Sequence, residues 1–64
     1  MDEDRFNMSM RRFLKEVGVT SQQAIETLVR DSGRGGQGKL KVKMVLTAEG
    51  TPLDHVVEGD IDLG

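Results

Sequence analysis

Residues 16–25, EVGVTSQQAI, decide how the first half of the chain folds. A glycine at position 18 and a Thr20–Gln23 pair interrupt a region whose spacing is otherwise helical. Upstream, Phe6, Met10, Phe13, Leu14 and Val17 recur at i, i+4, i+7, i+8 and i+11, the stripe of an amphipathic helix, with Arg11, Arg12, Lys15 and Glu16 on its other face. Gly18 suits the left-handed residue that closes a helix. Thr20 and Gln23 then have the spacing of a capping box, in which the hydroxyl accepts from the backbone N–H three residues on and the amide reaches back. Ala24, Ile25, Leu28 and Val29 form a second stripe. The stretch therefore predicts two helices, over about 4–17 and 21–31. The acidic cluster Asp2, Glu3 and Asp4 stands at the start of the first, where the helix dipole favours negative charge. Both helices are near or below the length that is stable alone in water, so each needs something to pack against.

Downstream the period changes. GRGGQGKL, residues 33–40, predicts a flexible glycine-rich loop over 32–38, with Gly33 capping the second helix. Leu40, Val42, Met44 and Leu46 then alternate with Lys41, Lys43, Val45 and Thr47, a half-buried strand over about 39–47. A second strand is expected over about 52–58. With Glu49 and Gly50 at the centre of a tight turn, Leu46 would face Leu53, Met44 would face His55 and Val42 would face Val57. On the opposite face Lys41 would meet Glu58 and Val45 would meet Asp54. Gly59 is expected to mark a bulge that returns Ile61 and Leu63 to a buried face, with the residues beyond it prone to fray. The sum is a single small α+β domain over 1–64: two N-terminal helices followed by an antiparallel β-hairpin (ααββ). A lone hairpin is marginal, so the architecture is expected to be completed by dimerisation, two hairpins joining into one sheet.

Composition points the same way. At 64 residues only about 60% of the unfolded surface can be buried. Domains this small usually recover stability from disulfides, a metal or oligomerisation. The chain has no cysteine and one histidine, which excludes disulfides and thiolate metal sites and leaves too few ligands for the common zinc sites. A homodimer is what remains, and no cofactor or metal is expected. The opening MDEDRFNMSM lacks the basic and apolar regions of a signal peptide, and no run approaches the ~20 apolar residues of a membrane span, so a cytoplasmic protein without membrane contact is expected. The net charge of −2 argues against a dedicated nucleic-acid binder. Charge is uneven, however: Arg30, Arg34, Lys39, Lys41 and Lys43 precede a C-terminal stretch that carries Glu49, Asp54, Glu58, Asp60 and Asp62 without a lysine or arginine.

Few motifs suggest chemistry. GRGGQGK has the G-x-x-x-x-G-K spacing of a phosphate-binding loop, but Leu40 stands where the magnesium-holding hydroxyl belongs, and the loop follows a helix and precedes a strand, the reverse of the required order. Its RGG triplet is a single copy without an aromatic partner for RNA. FLKEVGVTSQQAI resembles a helix-turn-helix, with a turn glycine and a glutamine-bearing second helix, yet its buried position falls on Ala24 with Ile25 one place late, and there is no third helix to brace it. A nucleic-acid module would use Arg11, Arg12, Gln22, Gln23, Arg30, Arg34 and Lys39. His55 lies among Asp54, Glu58 and Asp60, but strand alternation puts it on the face opposite Asp54 and Glu58, so a partly buried histidine at the sheet edge is favoured over an acid–base or metal role. Ser9, Thr20 and Ser21 have no adjacent base, and no catalytic residue is assigned. The leading reading is a small non-enzymatic protein-interaction module acting as a homodimer, which binds an unidentified protein.

FNMSMRRFLKEVGVTSQQAIE, residues 6–26, together with LDHVVEGDI, residues 53–61, resembles a group of very short proteobacterial proteins classed as a domain family of unknown function. The resemblance implies a small cytoplasmic bacterial protein, and it carries over no catalytic residue.

Overall fold

The structure, a computed structural model, describes residues 1–33 and 38–64. It divides into two units, Met1–Gly33 and Arg34–Gly64.

The first unit is one helix, α1, Glu3–Ser32, 30 residues long, or about 45 Å at the ordinary rise per residue. The two helices expected over 4–17 and 21–31 are thus a single element, and Gly18 does not close anything: its φ is not positive, whereas Gly33, Gly38 and Gly50 have φ of 69°, 72° and 75°. Glycine in a helix interior costs only about 1 kcal/mol relative to alanine, and Leu14, Lys15 and Glu16 before it and Gln22, Gln23 and Ala24 after it are good helix formers. The capping box does not form either. The Thr20 hydroxyl donates to the Glu16 carbonyl at 2.8 Å, back along the same helix, and is engaged there instead of accepting from the Gln23 amide. The real ends lie where the chain offers stronger signals. Asp2 is the N-cap, its carboxylate accepting from the Arg5 N–H at 3.2 Å, with Glu3 and Asp4 in the first turn. Gly33, in the left-handed region, ends the helix, as its sequence position predicts.

The second unit is an antiparallel hairpin of β1, Lys39–Thr47, and β2, Asp54–Asp62. The first strand has the bounds read from its alternation. The second begins later and runs further than 52–58, and the pairing is displaced by two residues: Thr47 faces Asp54, Leu46 faces His55, Met44 faces Val57 and Val42 faces Gly59. Turn geometry explains the shift. Glu49 and Gly50 are central, with the Thr51 N–H donating to the Ala48 carbonyl at 3.1 Å, but only Gly50 has positive φ. Such a turn splays the strands, unlike the primed turns that join strands directly. Pro52 has no N–H to give to a ladder, and the Leu53 N–H donates to the Thr51 hydroxyl at 3.2 Å instead. Pairing resumes at Asp54. Gly59 carries no bulge; it pairs in step with Val42, and the ladder continues past Asp62, where the Leu63 N–H donates to the Gly38 carbonyl at 2.9 Å. The fraying expected beyond Gly59 is replaced by strand. The loop expected over 32–38 begins one residue inside the helix, and its residues 34–37 lie outside the described residues.

Because a shift of two preserves side-chain parity, the faces survive the change of register. One face holds Leu40, Val42, Met44 and Leu46 opposite Ile61, Gly59, Val57 and His55. The other sets Lys39, Lys41 and Lys43 against Asp62, Asp60 and Glu58, a run of opposite charges more regular than the sequence pairing implied. Among the described residues no side chain in either unit is buried. Val17, Ser21, Ile25 and Val29, four residues apart on α1, and Leu40, Val42, Leu46, Ile61 and Leu63 in the hairpin unit are half-buried.

Gly50→Ala tests the turn. Open space surrounds a Cβ placed there, so the penalty is purely that of the left-handed backbone, about 1–2 kcal/mol. The hairpin's amide chemical-shift dispersion is expected to collapse in the variant; retention of wild-type dispersion would show that the turn does not need Gly50.

Candidate functional site

With α1 unbroken, the two short apolar stripes merge into one. Phe6, Met10, Leu14, Val17, Ser21, Ile25 and Leu28 follow one another at steps of four, four, three, four, four and three residues, flanked by Phe13, Ala24 and Val29. That 11-residue repeat stays close to the helical period, so the stripe runs almost straight along the helix. Its large side chains towards both ends are exposed, with Phe6 and Phe13 each 49% accessible, Leu14 50% and Leu28 54%, while Val17, Ser21 and Ile25 are half-buried. The hairpin has its own apolar face, on which Met44 and Val57 are exposed. These two surfaces are the most extended apolar features among the described residues, although Met8 and Val19 on α1 and the Val45–Val56 pair on the charged face of the hairpin are also exposed.

The residues singled out for nucleic-acid contact do not assemble into a reading head. Arg11, Arg12, Gln22, Gln23 and Arg30 lie on the polar side of α1, spread over about 28 Å of its length. Among the described residues there is no second helix to enter a groove, and residues 13–25 form one continuous helix without the turn of a helix-turn-helix. The group is also internally engaged and interrupted by acids. The Gln22 amide donates to the Glu26 carboxylate at 2.9 Å, and the Arg30 guanidinium lies 3.8 Å from Asp31 and donates to the Thr27 hydroxyl at 3.5 Å. Lys39 belongs to the other unit, opposite Asp62, and Arg34 lies outside the described residues. Arg30, Lys39, Lys41 and Lys43 are therefore answered by Asp31, Asp62, Asp60 and Glu58.

His55 stands on the apolar face of the hairpin opposite Leu46, not Met44, and is exposed instead of partly buried. Asp54 and Glu58 project from the other face, as alternation requires. Among the described residues no group of three or more His, Asp or Glu side chains is gathered in a way that would hold a metal ion. The hydroxyls are occupied along their own helix: Ser9 donates to the Phe6 carbonyl at 3.0 Å and Thr20 to that of Glu16. A shallow hollow at the start of α1, floored by Phe6 and Met8 and edged by Asp2, Arg5, Ser9 and Arg12, is formed by a single helix surface and is open. Nothing in it pairs a nucleophile with a base. No helix among the described residues is long and apolar enough to cross a membrane.

What sequence reasoning missed is the continuity of the stripe, and with it the size of the apolar surface. The signal was present in the three-and-four spacing from Phe6 to Leu28, which passes through Gly18 and Thr20 without changing phase. The family described as "Family of unknown function (DUF6494)" matches residues 1–64, and the chain belongs to it. No curated protein and no solved structure matches.

Proposed function

We propose that this member of the family is a small, non-enzymatic interaction module that works as a homodimer and offers an apolar surface to protein partners. One observation carries the reading: no described residue is buried, while large apolar side chains line one face of each unit. An amphipathic helix in a protein draws most of its stability from packing its apolar face, and a two-stranded hairpin alone is marginal in water. Contiguous exposed apolar surface of this kind marks a protein contact site. The occupied hydroxyls of Ser9 and Thr20, and the separation of His55 from the carboxylates beside it, support a role in binding over one in catalysis.

Sedimentation velocity over a wide concentration range, read together with far-ultraviolet circular dichroism, tests this. A dimer whose helicity falls as dilution dissociates it is expected. A monomer with full helicity and a cooperative thermal transition at every concentration would refute the reading.

A further inference from the structure

We propose that the second copy lies antiparallel along the α1 stripe, with the two-fold axis beside Val17 and Gly18. This rests on the homodimer reading and adds its geometry. Three features converge on the arrangement.

The first is charge. Between residues 3 and 15 the helix carries Arg5, Arg11, Arg12 and Lys15 against Glu3 and Asp4, and between 16 and 31 it carries Glu16, Glu26 and Asp31 against Arg30 alone, so the first half is net positive and the second net negative. A parallel pair would set the basic block beside its own copy, with Arg11 near the partner copy's equivalent of Arg12. An antiparallel pair instead sets the net-positive half of each helix beside the net-negative half of the other. Helix dipoles also oppose one another favourably in that arrangement.

The second is the stripe. Turned end for end about residue 17 or 18, it meets itself: Phe6 with Leu28, Met10 with Ile25, Leu14 with Ser21, and Val17 with its own copy. The bulky N-terminal half, rich in Phe and Met, thereby faces the smaller side chains of the C-terminal half. A close-packed seam needs that alternation of large and small.

The third is Gly18. Glycine is among the poorest residues for a helix interior, its backbone here has no positive φ, and beyond its neighbours and the adjacent helix backbone no atom lies within 4 Å of a Cβ built at that position. Among the described residues no close approach calls for it. It sits at the margin of the stripe, close to the midpoint of Glu3–Ser32, where an antiparallel partner's Gly18 would stand across the axis. Two missing side chains there let the backbones approach closely.

The absence of cysteine makes the test clean. Three full-length variants, Met10→Cys, Val17→Cys and Ile25→Cys, are oxidised singly, and Met10→Cys is also mixed with Ile25→Cys. Antiparallel pairing separates the two copies of position 10 by about 22 Å, far beyond the roughly 7 Å that a disulfide spans between Cα atoms. The expected result is a covalent dimer from Val17→Cys alone and from the mixture, with none from Met10→Cys or Ile25→Cys alone. Covalent dimers from each single variant would establish a parallel pair and overturn the proposal while leaving the homodimer intact. A sedimenting dimer that none of the variants cross-links would place the interface elsewhere, with the same consequence. A monomer by sedimentation would remove the homodimer reading itself.

Discussion

Replacing Ser21 with proline is expected to destabilise α1 by about 3 kcal/mol or more and to abolish much of the far-ultraviolet helical signal. The expectation depends directly on helix continuity. In the structure residue 21 lies well inside Glu3–Ser32, so proline would remove the bond from its N–H to the Val17 carbonyl and press its ring against that carbonyl. In a two-helix arrangement capped by Thr20, the same residue would be the first of the second helix. Proline is favoured at that position because its fixed φ suits the turn and its N–H is not needed. The two architectures thus predict opposite outcomes for one substitution. Thr20→Ala adds a second reversal. Loss of a capping hydroxyl costs about 1 kcal/mol, whereas alanine in a continuous helix raises helicity, because the hydroxyl that donates to Glu16 contributes little and alanine is the better helix former. A Ser21→Pro protein with undiminished ellipticity, or a Thr20→Ala protein with less, would contradict the single helix.

Leu14→Asp is expected to weaken self-association by about 10²-fold or more, measured by sedimentation equilibrium. Leu14 is half exposed in the single chain and stands in the middle of the stripe. Burying a leucine is worth about 1.5–3 kcal/mol, and a symmetric pair loses two such contacts, so the change amounts to about 3–6 kcal/mol. At 1.4 kcal/mol per decade this takes the dissociation constant through two to four orders of magnitude. Gln23→Asp, on the polar side of the same helix, supplies the comparison and is expected to leave association within a few-fold of the parent chain. If Leu14→Asp associated as tightly as Gln23→Asp, the stripe would not be the contact surface.

Much of this architecture is legible in the residues, and the failures have specific physical origins. The apolar phase of α1, its acidic start, its glycine end, the bounds of β1 and the faces of the hairpin all follow from period and capping chemistry. Those signals are strong because many side chains agree on each. The break at Gly18 was a judgement between local rules of nearly equal weight. A glycine and a Thr–Gln pair suggest a turn, but the cost of keeping them helical is only about 1 kcal/mol, and the uninterrupted phase from Phe6 to Leu28 outweighs it. The strand register depended on one proline. Alternation determines which residues share a face and is indifferent to a slip of two, so only Pro52 and the sign of φ at Glu49 distinguish the two pairings. Of the candidate contact residues, Arg11, Arg12, Gln22, Gln23, Arg30 and Lys39 are exposed. Their separation along one helix and across two units depends on tertiary placement, which no linear pattern supplies.

The lack of any buried side chain among the described residues has a consequence in time as well as in energy. Helix segments open and close in well under a microsecond and small hairpins in microseconds. Where no interior packing resists such opening, a backbone amide is released to solvent almost as often as the local hydrogen bond breaks. Deuterium uptake in this chain would then be governed by how long two copies stay together. Protection along α1 should rise with protein concentration and peak around Val17, so that exchange becomes a clock for the lifetime of the pair.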